Sequence, residues 1–190
     1  MAETAPPYLD PHPDVILGLI NRVVSVRWPE DPDELNAYFR TIDCARGPMF
    51  ERQDDMSDSS RGSLLMPGVL MEGGSWATLA GKLHSLGFFF YPGTQGSRIV
   101  AGLAFDIVQD RLTNVYGKAA DEKGHSEGNR SALWEVNETS IELYAHINLA
   151  PVLQLGLSHR DLTLLHDKLI IEKRGYLVGP PLVVQRLCDS

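Results

Sequence analysis

The sequence predicts an α+β fold: a mainly antiparallel β-sheet with N-terminal helices and a C-terminal helix packed on one face. Three observations point there. Apolar residues recur at helical spacing early in the chain, alternating apolar and polar runs come late, and short links join the late runs. Short links suit antiparallel neighbours, whereas each parallel pair needs a long crossover. No repeat with a period of about 20 to 50 residues is visible.

Residues 1–13, with Ala5-Pro6-Pro7, Pro11 and Pro13, read as a flexible lead-in, and 14–190 as a single domain. Val15, Ile16, Leu19, Ile20, Val23 and Val24 predict a helix over 14–26, ended by Trp28-Pro29. In Asp31-Pro32-Asp33-Glu34, Asp31 can cap, Pro32 suits the first helical position and Glu34 completes a capping box. The helix that follows is expected to reach Ile42 and to bury Leu35, Tyr38, Phe39 and Ile42. Residues 44–63 are polar, acidic and serine-rich, which predicts a loop carrying a strand around 48–52. Leu64-Leu65-Met66-Pro67 and Val69-Leu70-Met71 read as short strand pieces. Ser75 reads as the cap of a third helix, with Trp76, Leu79, Ala80 and Leu83 on one face and Gly87 past its end.

The character changes after Gly87. Phe88-Phe89-Phe90-Tyr91 and residues 98–108 are rich in aromatic and β-branched side chains and flank Pro92-Gly93-Thr94-Gln95-Gly96, which predicts a hairpin. Residues 110–116 have the length of two helical turns, and 118–130 form a charged, glycine-bearing loop. Residues 133–136 and 141–146 alternate and are joined by Asn137-Glu138-Thr139, a second hairpin. Residues 152–157 make a further strand. Ser158, with Asp161 three positions on, is expected to open a helix carrying Leu162, Leu165, Leu169 and Ile170, closed by Arg174-Gly175. Residues 176–184 are too apolar for a free linker and are expected to pack on the body or add an edge strand.

A 190-residue chain that is 43% hydrophobic can build a core. No apolar run approaches the roughly 20 residues of a membrane-spanning helix. The N-terminus lacks the basic and apolar regions of a secretory signal, so the expected location is cytoplasmic. A formal charge of −8, from 25 acids against 17 bases, repels phosphate backbones and anionic membranes. It argues for a protein partner over nucleic acid or membrane, and would speed encounter with a basic one. Solubility alone also accounts for it.

Motifs for catalysis are missing from the sequence. Gly93-Thr94-Gln95-Gly96-Ser97 has no following lysine and lies between expected strands, so it reads as a turn. There is no GxSxG, no HExxH and no CxxC; Cys44 and Cys188 are expected to be free thiols. His159 and His166 share a predicted helix at seven-residue spacing, not the i,i+4 spacing of zinc helices. No catalytic residue, cofactor or metal is therefore expected. Glu135 and Glu142 alternate with apolar residues on adjacent strands and are expected to form a cross-strand pair facing water. Trp28, Trp76 and Trp134 are expected to be packing residues.

Leu133-Trp134-Glu135-Val136-Asn137, Ile141-Glu142-Leu143-Tyr144 and Gln154-Leu155-Gly156-Leu157, followed by a terminal helix, resemble small actinobacterial single-domain immunity proteins encoded beside secreted toxins. The likeness covers roughly the last two-thirds of the chain and is one of pattern and composition. It implies an acidic inhibitor that plugs the active site of a toxin enzyme, such as one consuming NAD or nucleotides. The expected contacts with a basic toxin domain are the acidic segments: Glu51, Asp54, Asp55 and Asp58, and Asp121, Glu122 and Glu127. The alternative is a small-molecule-binding protein or small enzyme with a pocket between sheet and helices, lined by Glu142, Tyr144 or His146. A third reading is a scaffold that dimerises through an exposed strand edge.

Overall fold

A computed structural model describes residues 8–51, 59–69, 73–92, 98–124, 128–148 and 150–175. The chain runs α1 (Pro13–Ser25), a 3-10 turn (Pro32–Glu34), α2 (Leu35–Thr41), β1 (Ala45–Met49), β2 (Ser59–Leu65), β3 (Gly73–Leu79) and β4 (Lys82–Phe90). It continues as α3 (Arg98–Tyr116), β5 (Asp121–Gly124), β6 (Arg130–Val136), β7 (Thr139–His146), β8 (Val152–His159) and α4 (Arg160–Gly175). The eight strands among the described residues join one sheet in the order β1-β2-β3-β4-β8-β7-β6-β5, and every neighbouring pair is antiparallel. The fold is thus the predicted α+β class.

The strand order describes two four-stranded meanders, β1–β4 and β5–β8, that meet along their last strands. Residue Gly87 of β4 pairs with Gly156 of β8, flanked by Phe88 with Leu155 and Leu86 with Leu157. About that glycine pair the two halves are related as by a local two-fold. Only α3 and its flanking links separate them in the chain.

The core lies between the sheet and helices α1–α3. Ile16, Leu19, Ile20 and Val23 of α1, Phe39 of α2 and Ala104, Phe105 and Val108 of α3 pack with Leu83, Phe88 and Phe90, and with Leu143, Leu155 and Leu157. The α1 face was legible because its apolar residues keep the 3.6-residue period, and the N-terminal turn caps as expected, Asp31 accepting from Asp33 N at 2.8 Å. Glu34 reaches the amide of Glu30, one residue earlier than a capping box would place it. Polar contacts add to this packing: the Trp28 indole donates to Thr139 Oγ1 of β7 at 2.9 Å, Trp134 of β6 to the Gly117 carbonyl just past α3 at 3.0 Å, and the Tyr116 hydroxyl of α3 to Asn21 of α1 at 2.5 Å. Arg130 bridges β6 to α3, donating to Gly102 O and Asp106 with its guanidinium over the Phe105 ring.

Several sequence expectations need correction. The helix expected after Ser75 is the β3–β4 hairpin. Ala80 and Gly81 both take positive φ, +50° and +79°, as a two-residue hairpin turn requires, and the strand pairing buries Trp76 and Leu83. Leucines and Ala made the segment look helical, yet Trp76, Thr78, Leu86, Phe88 and Phe90 alternate inward. The expected strand over 98–108 is instead the first half of a nineteen-residue helix, α3, continuous with the predicted 110–116 helix. Val100, Ala104, Phe105, Val108 and Leu112 form its buried stripe, so tertiary packing overrides β-propensity. Within the two polar loops, the strand near 48–52 lies at 45–49, and β5 occupies 121–124. Finally, α4 is capped by His159, whose Nδ1 accepts from Leu162 N at 3.5 Å, while Ser158 belongs to β8.

Candidate functional site

Because side chains alternate along each strand, the positions between core residues project to the outer face, away from α1–α3. Across the centre of that face the residues are small. Ser63, Ser75, Gly87 and Gly156 occupy one cross-strand row, continued by Glu142 and Leu133. The next row holds Phe89, Gln154, Tyr144 and Ser131, and beyond it His146 pairs with Val152.

The second half of this face gathers the polar side chains. The Tyr144 hydroxyl donates to Glu142 Oε2 at 2.7 Å, His146 Nε2 lies 3.0 Å from Gln154 Oε1, and the Tyr144 and His146 rings stack with centroids 6.2 Å apart. All four are half-buried. Strand alternation alone assembles the group: Glu142, Tyr144 and His146 are i, i+2 and i+4 on β7, and Gln154 is the direct neighbour of Tyr144 on β8. The reading of Glu142, Tyr144 and His146 as a common lining identified one strand face. Gln154 and Phe89 were missed, although both fall on alternating positions of strands that carry apolar residues between them.

Glu135 and Glu142 both face outward, but they are not opposite each other. Glu135 pairs with Ser140 and Glu142 with Leu133, and the Glu135 carboxylate meets Arg160 at 3.4 Å. The expected acid–acid pair is therefore an acid–base contact that anchors the start of α4. The two helix histidines also part: His159 lies edge-on to Trp28 at 6.0 Å, and His166 stacks on His84 at 4.8 Å. Among the described residues no group of three or more His, Cys, Asp or Glu side chains is placed to hold a metal ion. Burial pushes the Cys44 thiol up to about 12. It is a packing residue within the core.

Among the described residues the acidic positions do not share one patch. Glu51 is exposed just past β1 at one edge of the sheet, while Asp121 and Glu122 are exposed on β5 at the other. Seven strand spacings of roughly 4.8 Å put these edges on the order of 30 Å apart. Asp121 is also paired with Lys123 at 3.2 Å. Asp54, Asp55, Asp58 and Glu127 lie outside the described residues, as do the turn at 93–97 and the apolar 176–184 segment. At the β1 edge the neighbours of Glu51 are apolar, with Met49 48% and Phe50 51% exposed.

No helix among the described residues is long and apolar enough to cross a membrane. Comparison with protein-family models, with curated proteins and with solved structures found no match for the chain.

Proposed function

We propose that this chain is a cytoplasmic protein-binding inhibitor of the immunity type, which blocks the active site of a basic toxin enzyme with the outer face of its sheet. One observation carries the reading. A low Ser/Gly floor lies beside half-buried Phe89, Tyr144 and His146, with the Glu142 carboxylate among them. Small residues let a partner element approach the sheet closely, and aromatic side chains beside them are the residue types that anchor interfaces. Glu142 adds a negative charge for a cationic cleft of the kind that binds NAD or nucleotide phosphates. Asp121 and Glu122 flank the same half of the sheet, Glu51 lies at the opposite edge, and Asp54, Asp55, Asp58 and Glu127 add to the net negative charge of the chain.

A small-molecule site is the second reading, supported by the paired Glu142–Tyr144 and His146–Gln154 contacts. Its place would be this outer face, because the space between sheet and helices is filled by Phe105, Leu143 and Leu155.

The experiment is titration calorimetry of the full chain against the product of the adjacent gene, with Glu142→Lys and Gly156→Arg variants alongside. A nanomolar complex that inhibits that enzyme, weakened at least tenfold by either variant, is the expected result. Failure to bind any neighbouring toxin domain, with a metabolite raising the melting temperature instead, replaces the inhibitor by the small-molecule reading.

A further inference from the structure

Helix α4 is held differently from the other three. None of its described residues joins the main core cluster, and Leu164 (60%), Leu165 (46%) and Ile171 (51%) are exposed. It meets β4 and β8 through half-buried Leu162, His166, Leu169 and Ile170. Its first turn is fixed by Arg160, whose amide donates to Glu138 O at 2.9 Å and whose side chain meets Glu135. The next attachment along the helix is the His166 ring, stacked on His84 at 4.8 Å and 25°.

His84 is the extra residue of a β-bulge: Ala77 pairs with Ser85 and Thr78 with Leu83, leaving His84 without an opposite number on β3. It is only 6% exposed, and its Nδ1 has no hydrogen-bond partner among the described residues. A neutral imidazole tolerates this position. An imidazolium would place a charged N–H where no acceptor meets it. The neighbours do not compensate. Arg61 of β2 acts on His84 as a like charge, and α4 contributes His166, with Asp167 lying 3.8 Å from His166 Nδ1 and exposed to water. Opposite the bulge, Ala77 and Thr78 carry no charge, and from β8 comes His159, turned toward Trp28.

We propose that the stacked His84–His166 pair is a pH-sensitive latch: acidification releases α4 from the sheet while the eight-stranded body stays folded. The direction follows from linkage. Burial, then His166 and Arg61, push the docked His84 down to about 4, below its ordinary 6.5. Docking is therefore undisturbed above about pH 6.5, weakens as the pH falls below that value, and stops weakening once the pH is below the docked value. At pH 5 the released fraction should rise roughly thirtyfold over its value at pH 7.5.

Hydrogen–deuterium exchange of the full chain, corrected for the intrinsic pH dependence, tests this. Peptides over 160–172 should lose protection about thirtyfold between pH 7.5 and pH 5, while peptides over β7 and β8 keep theirs. In H84F and in H84L, where a non-titrating side chain takes the place of the buried imidazole, the loss should shrink to under about threefold. The latch is refuted if α4 protection is independent of pH, if a His84 variant that folds keeps the full pH response, or if β7 and β8 open together with α4. If neither variant folds, the pH response of α4 against that of β7 and β8 in the unaltered chain decides the matter alone.

Discussion

The two meanders use one geometry for different ends. In the first, β2, β3 and β4 present mostly small side chains to the outer face, Ser63, Ser75, Ala77, Ser85 and Gly87, with Arg61 and Phe89 as larger exceptions. In the second, β6, β7 and β8 present Leu133, Glu135, Glu142, Tyr144, His146 and Gln154, larger groups tied to one another. Their inner faces, by contrast, are alike: Leu86, Phe88 and Phe90 on one side of the seam, Leu143, Leu155 and Leu157 on the other. Apolar packing is shared evenly between the halves, and the larger polar side chains of the outer face are concentrated in one.

That contrast can be broken most sharply in the core. Trp76→Ala in the first half and Trp134→Ala in the second should each cost about 3–5 kcal/mol in urea unfolding, because both indoles are nearly inaccessible and both donate a hydrogen bond. A single transition is expected for each. Two separate transitions would mean that the halves fold independently, and the even sharing would be wrong.

A second effect, about 1–3 kcal/mol, separates two glycines. A Cβ at Gly62 would lie 2.8 Å from the Trp76 ring, so Gly62→Ala must displace a buried indole. At Gly156 the same atom would rest 3.5 Å from the Glu142 Cβ, ordinary contact, and Gly156→Ala should change the unfolding free energy by under about 1 kcal/mol. A third test reads local opening near β1. With burial pushing its thiol up to about 12, Cys44 should react with a thiolate-selective reagent at pH 8 on the order of a thousandfold more slowly than in urea. Rapid labelling would reveal that α2 and β1 part easily. Smallest is Tyr144→Phe, which removes the bond to Glu142 on the half-buried face. It should alter stability by less than about 1 kcal/mol and show itself in binding to the proposed partner.

The same contrast explains what could be read in advance. The second meander announced itself because Trp134, Ile141 and Leu143 alternate strictly with polar residues around Asn137, which takes φ +53° in the turn. The first did not, since the outward positions at its centre, Ser63, Ser75, Ala77, Ser85 and Gly87, are Gly, Ala and Ser. A strand reading Gly-Gly-Ser-Trp-Ala-Thr-Leu carries no polar alternation, and its Trp76 and Leu79 also fit a helix face. For α3 the error ran the other way: Ile99, Val100, Phe105 and Val108 suggested a strand, and only the packing of α1 and the sheet against one stripe decides for a helix. Of the outer-face cluster, Glu142, Tyr144 and His146 were visible as a strand period. Gln154 required knowing that β8 lies beside β7, a non-local fact. The wide separation of Glu51 from Asp121 likewise depends on strand order, which charge counting does not contain.

Helix α1 precedes the first meander in the chain but lies against α3 and β7, and the Val24 carbonyl accepts from Asn137 of the second hairpin. Among the described residues the two meanders share a single strand pairing, β4 with β8. The molecule is thus cross-laced, each portion lending the other a piece it cannot do without. Severed after Pro92, neither fragment would be expected to hold its shape in isolation, whereas the two produced in one cell should recombine, so the chain is a natural scaffold for split-protein reassembly.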